Sequence, residues 1–195
     1  MGKTRLEAFS DGVIAILITI MVLEMKVPHG TDLSALLPVL PVFLSYVLSF
    51  IYVGIYWNNH HHMIHTCKKV TGGILWANLH LLFSLSLIPF ATGWMGENHF
   101  ATIPVALYGV VLLWSAFAYY ILQTLIIRSQ GEHSLLKQAV GSDWKGKMSP
   151  VLYLVGIIFA FWVPQISMLS YVLVALMWLV PDSRIERAIS GTHEA

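Results

Sequence analysis

An all-α integral membrane protein with six transmembrane helices per subunit is the fold class this sequence predicts, and three observations predict it. Of its 195 residues, 57% are hydrophobic and 11% charged, with a mean hydropathy of +0.72, whereas about a quarter of a soluble domain is charged. Apolar runs long enough for the roughly 20 residues that a bilayer core demands recur along the chain. Ten of the 11 Lys and Arg residues fall on one side of a six-span topology. This positive-inside bias puts both termini in the cytoplasm, and we expect the protein in the cell membrane.

Helix one runs from about Thr4 to Val27 and stops at Pro28-His29-Gly30. It follows acidic residues, is too long for a leader's apolar region and lacks a small-residue cleavage site, so it reads as a span. A second span follows Pro38 and Pro41 and reaches Trp57 or His60, with no Asp, Glu, Lys or Arg from Leu33 to Cys67. The third covers about Val70 to Thr92 and the fourth about Phe100 to Ile127. A polar cytoplasmic connection, about residues 128–149, holds Leu135, Leu136, Ala139, Val140 and Trp144 at helical spacing. It is either an amphipathic helix on the membrane surface or a linker helix packed on the bundle.

The last apolar block, Pro150 to Val180, is broken at Val163-Pro164-Gln165. We read it as two short spans extended by snorkelling Lys145, Lys147 and Arg184, in preference to a re-entrant hairpin. One side then receives Lys3, Arg5, Lys68, Lys69, Arg128, Lys137, Lys145, Lys147, Arg184 and Arg187, and the other only Lys26. Merging the final pair would carry Arg184 and Arg187 across, so the charge balance supports the count. Residues 1–195 form a single domain on this reading.

Helix one is the only long apolar segment with acids and a base inside or against it, and charged groups in a membrane helix face a bundle interior, a partner or water. At about 100° per residue, with Ile16 at the centre of one face, Phe9, Gly12, Ile20, Leu23 and Val27 fall within about 40° and Thr19 at about 60°. Ser10 and Asp11 lie more than about 110° away. Lipid contact is the default explanation of such a stripe. The opposite face must then house Ser10 and Asp11 against donors such as Trp57, Asn58, Asn59, His60, His61 and Asn78. A helix clamped on one face to its own subunit has the other free for a symmetry partner, and in a closed ring identical stripes meet at the axis.

Arg5-x-x-x-Phe9-Ser10-Asp11 resembles the signature of the transmembrane protein 175 potassium-channel family. Trp57-x-x-His60-His61, Trp76-x-Asn78 and Pro89-Phe90-x-Thr92 follow in the family's order. The resemblance covers all six spans, with weaker support after residue 130. This chain has one copy of the motif and no Thr-Val-Gly-Tyr-Gly filter loop, so it looks like the prokaryotic form. That form implies a homotetramer with helix one lining a central pore, and K+ as permeant ion.

Carried over by position, the family's aliphatic constriction falls on Ile16, with Ile20 and Leu23 further outward, and a selectivity hydroxyl on Thr19. A ring of isoleucines closes a conduit by dewetting, and few fixed oxygens replace the ion's hydration shell, so discrimination is expected to be modest. Arg5, Phe9, Ser10, Asp11, Trp57, His60, His61 and Asn78 become a structural network, with His60 as the expected partner of Ser10 or Asp11. The same fold also accommodates a proton or non-selective cation channel.

Other features carry less. His60, His61, His62 and His65 invite haem, but His60 and His80 sit at different depths. His61 and His65, spaced i and i+4, lack evident third and fourth ligands for zinc or copper. Asn78 and His80 suit interhelical hydrogen bonds, and Trp57, Trp76, Trp94 and Trp144 suit interfacial anchors. Glu24 and Lys26 read as a solvated helix end, and Gly72-Gly73 as a helix entry. Cys67, the single cysteine, excludes an internal disulfide and reads as a small hydrophobe. A secondary transporter is disfavoured because helices two to six hold no acid within their spans, and a scaffold would leave Ser10 and Asp11 unexplained. No nucleophile with a base, carboxylate pair or nucleotide loop suggests an enzyme. We expect no metal, no cofactor and no nucleic-acid partner; the lipid bilayer, potassium ions and other copies of the chain are the expected partners.

Overall fold

The computed structural model describes residues 2–131, 134–141 and 143–179. Helix α1 spans Lys3–Leu23, and a 3₁₀ segment, Leu33–Val39, leads into α2, Leu40–His65. The chain continues with α3, Gly72–Ser86; α4, Ile88–Glu97; and α5, Thr102–Gln130. It ends with α6, Leu135–Val140; α7, Trp144–Phe159; and α8, Pro164–Leu179. Four stretches are long and apolar enough to cross a membrane: Lys3–Leu23, Leu33–His65, Gly72–Glu97 and Thr102–Gln130.

The third of these is not one straight helix. Pro89 has no N–H to give to the preceding turn, so α3 ends at Ser86 and α4 restarts at Ile88, with Leu87 between them donating to Ser84 O at 3.2 Å. The expected end at Thr92 is also passed, since α4 continues to Glu97. At its start, Gly72 and Gly73 do open α3, which Thr71 caps by accepting from Ile74 N at 3.3 Å.

The polar connection divides differently from the single helix its spacing suggested. Leu136 is buried in the short α6, which packs on α5, while Trp144 belongs to α7. Asp143 caps α7 by accepting from Gly146 N at 3.1 Å. Pro164 opens α8, the position where its missing N–H costs no hydrogen bond. α7 and α8 have 16 residues each, or about 24 Å of rise, short of a hydrocarbon core of about 30 Å. Val180, Arg184 and Arg187 lie outside the described residues.

Two packing units share α2. On one side α1 packs against α2, α3 and α4; on the other α7 packs on α5 and α8, and α8 on α2. At the basic end Lys3 Nζ donates to His65 O, and Gln130 Nε2 donates to Thr66 O at 2.8 Å, which gathers the start of α1 with the ends of α2 and α5. At the opposite end Lys26 pairs with Glu97 at 3.1 Å. Lys26 thus has a partner instead of standing free beside Glu24, although both members of the pair are exposed and such contacts contribute little.

The second unit is built around tyrosines. Tyr52 Oη donates to Tyr171 O at 2.6 Å, Tyr171 Oη donates to Val105 O at 3.3 Å, and Ser49 joins Thr92 at 2.6 Å and Tyr108 at 2.9 Å. These bonds satisfy polar groups that have no water to turn to. The Tyr171 ring occupies the space beside Gly109 and Gly156, where a Cβ would overlap it. Gly156→Ala is therefore expected to destabilise the fold by about 1–3 kcal/mol, read as a lower midpoint of thermal unfolding in detergent.

Cys67, in the turn after α2, is 1% exposed, and burial pushes its thiol pKa up against smaller opposing effects of the Lys69 carbonyl contact and Lys3. The reactive thiolate is correspondingly scarce near neutral pH. Maleimide labelling of the folded protein at pH 7 should be well below that of the denatured chain, with a rate that rises as the pH is raised.

Candidate functional site

Helix α1 has a fastened face and a bare face. Leu6, Ser10, Ile14, Leu17 and Met21 are buried against the bundle. The face away from them exposes Phe9 (50%), Ile16 (57%), Ile20 (40%) and Leu23 (79%) in the isolated subunit. Thr19 is exposed on the same side, and its hydroxyl donates to Ile16 O at 2.9 Å. That leaves the lone pairs of Oγ1 unspent and directed off the helix.

The fastening is a buried three-residue relay. Asn78, on α3, donates through Nδ2 to Ser10 Oγ at 2.9 Å, and its Oδ1 faces His60 Nε2, on α2, at 2.7 Å. Ser10 and Asn78 are fully buried and His60 is 1% exposed. Ser10 gives its own proton to Leu6 O at 2.8 Å, so it can only accept from Asn78. The amide orientation then requires His60 Nε2 to carry the proton that Asn78 Oδ1 accepts.

The expectation that His60 bonds directly to Ser10 or Asp11 is corrected here: Asn78 stands between, its amide giving a donor to Ser10 on one side and an acceptor to His60 on the other. Asp11 takes a separate partner, accepting from Trp57 Nε1 at 3.0 Å. Unlike Ser10, it is only partly buried. Trp57 stacks on His61 and His61 on His65, each pair with ring centroids 6.3 Å apart. His61 itself is exposed and reaches Asp11 only through the indole. Arg5, placed in the network by its motif, is exposed, and its side chain makes no hydrogen bond or ion pair among the described residues.

His80 accepts from Trp114 Nε1 at 2.7 Å, which engages it between α3 and α5. Among the described residues no group of three or more His, Cys, Asp or Glu side chains is placed to hold a metal ion. Sequence reasoning missed the hydroxyl stripe on α2, where Ser45, Ser49, Tyr52, Tyr56 and Asn59 follow each other at intervals of four and three. That spacing marks a second buried polar face and was open to detection beside the histidines.

A membrane-spanning helical bundle with its first helix fastened on one side and apolar and bare on the other is the class these features define. Residues 5–89 match the family model described as the endosomal/lysosomal potassium channel TMEM175. A protein of Chryseobacterium sp. (strain P1-3) named a potassium channel is 60% identical over 97% of this chain and 98% of its own. The crystal structure of a lysosomal potassium-selective channel TMEM175 homologue from Chamaesiphon minutus aligns with a TM-score of 0.79 and 27% identity, over 92% of this chain and 97% of that one. The human endosomal/lysosomal proton channel TMEM175 is 37% identical over 36% of this chain but only 16% of its own length. The chain belongs to the TMEM175 family, a family of ion channels and not of enzymes.

The relay sets a graded expectation. Asn78→Leu leaves the His60 Nε2 proton without an acceptor in an apolar interior, which costs about 1–3 kcal/mol, and takes away the donor to Ser10, whose own proton stays on Leu6 O; the thermal midpoint should fall sharply. Arg5→Ala should leave the stability of the isolated subunit unchanged within about 0.5 kcal/mol, as measured by unfolding in a detergent that dissociates any oligomer.

Proposed function

We propose that this protein is a potassium-permeable leak channel of the cell membrane, formed by four copies whose α1 helices surround a common axis. Each subunit crosses the bilayer six times, α7 and α8 being the short fifth and sixth spans, with both termini in the cytoplasm. The gathering of Lys3, Lys68, Lys69, Arg128, Lys145 and Lys147 at one end of the helices supports this orientation.

The observation that carries the reading is the two-sidedness of α1. Hydrogen bonds through Ser10 and Asp11 fix its rotation, so Ile16, Ile20 and Leu23 face out of the subunit together. Around a four-fold axis those side chains form stacked apolar rings. A ring of isoleucines that is narrow excludes water, and an ion that would have to shed its hydration shell there meets a steep barrier. When the ring widens, the ion passes with part of its shell. Thr19, one turn beyond Ile16, presents acceptor lone pairs to it. The printed names of the bacterial relatives, potassium channels, support K+ as the favoured ion. The eukaryotic relatives are named proton channels, which makes proton permeation the second reading.

Bilayer recording of the purified protein tests both. Ile16→Asn should raise K+ conductance about tenfold or more, the effect expected when a dewetting barrier of about 1.4 kcal/mol or more is removed. It should leave selectivity for K+ over Na+ altered by less. A mutant indistinguishable from wild type would move the pore off α1. A reversal potential that follows the pH gradient and ignores the K+ gradient would favour the proton reading.

A further inference from the structure

We propose that the cavity between α2, α5, α7 and α8, near the basic end of the subunit, is a binding site for a small organic ammonium ion. The cavity has a volume of about 60 Å3, and at about 10–15 Å3 for each enclosed water it holds about four heavy-atom groups. It is separate from the bare stripe of α1, because none of its lining residues comes from that helix.

Its walls are aromatic: Tyr52 and Tyr56 from α2, Tyr119 and Tyr120 from α5, Tyr153 from α7 and Trp178 from α8. Aromatic faces carry negative potential and attract a cation, most strongly when it leaves water behind. The Trp178 ring already takes part in such a contact, with Lys145 Nζ 5.8 Å from its centroid.

The polar groups that converge on the cavity are unspent. Gln123 is 7% exposed and lines it, yet its amide makes no hydrogen bond among the described residues. The hydroxyl of Tyr56, a residue 8% exposed, has no hydrogen-bond partner there either. Both polar ends keep surface open to the cavity, so an occupant there can pair with them.

Charge selects the occupant. Asp143 supplies the one charged side chain of the lining. Its carboxylate lies where a Cβ on Gly146 would stand and accepts from Gly146 N at 3.1 Å through Oδ1 alone. The second oxygen remains to accept from a ligand. An anion would meet the Asp143 carboxylate, and a hydrocarbon would leave Gln123 and the second Asp143 oxygen without partners. An ammonium carrying both N–H and methyl groups meets both demands, with its N–H on the carboxylate and its methyls on the tyrosine faces.

The test uses the purified full chain in detergent, with thermal unfolding followed at increasing trimethylammonium chloride. Potassium chloride and tert-butanol, the latter a neutral molecule of similar shape, are run in parallel at matched ionic strength. The expected result is a saturable rise in the unfolding midpoint with trimethylammonium only. Asp143→Asn keeps the helix cap, since asparagine caps as well as aspartate, and should raise the half-saturating concentration about tenfold or more. Gln123→Leu, which removes no cap, should weaken binding in the same direction, and Ile16→Asn should leave it unchanged. No saturable rise, an equal rise with tert-butanol or K+, an unchanged response in both cavity variants, or loss of the response in Ile16→Asn would each overturn the assignment.

Discussion

One buried amide governs the placement of the first helix. In a bundle surrounded by hydrocarbon, a polar side chain has no water to fall back on and must find its partners among neighbouring helices. Asn78 meets this demand twice, giving a proton to Ser10 on α1 and taking one from His60 on α2. Three helices are held in register by two bonds, and α1 loses its freedom to rotate. The Trp57 contact to Asp11, one residue along from Ser10, acts on the same turn. An apolar stripe whose rotation was not fixed in this way could not present the same side chains at the same height in every copy.

α2 is the element on which both halves of the subunit depend. Through His60 and Trp57 it anchors α1, while Ser49, Tyr52 and Tyr56 turn toward α5, α7 and α8. The glycines at 109 and 156 let the Tyr171 ring lie against the backbones of α5 and α7, so the second unit is held by close packing and buried hydroxyl bonds. The first unit is held by a few directed bonds around a helix left half bare. A rigid frame beside a helix with one face uncommitted suits a division between support and conduction.

The short final helices fit this division. Pro164 opens α8 after the break that ends α7, and the two helices, of 16 residues each, pack on each other and on α5. They enclose the tyrosine core and its cavity and make no part of the α1 face.

How much was legible in the sequence follows from the range of each interaction. Residues 100° apart on a helix share or oppose a face whatever surrounds them, so the stripe of Phe9, Ile16, Ile20 and Leu23, the opposed Ser10 and the main apolar stretches could be read from order alone. Partners could not. That Asn78 intervenes between Ser10 and His60, and that Trp57 and not a histidine serves Asp11, depend on the relative depth and rotation of helices whose bonded residues lie 18 to 68 positions apart. The cavity at Gln123 is likewise set by how α5, α7 and α8 settle against α2. Periodicity is a property of one helix and is written in its sequence; hydrogen bonding across helices needs three-dimensional coincidence, and only the tertiary structure decides it.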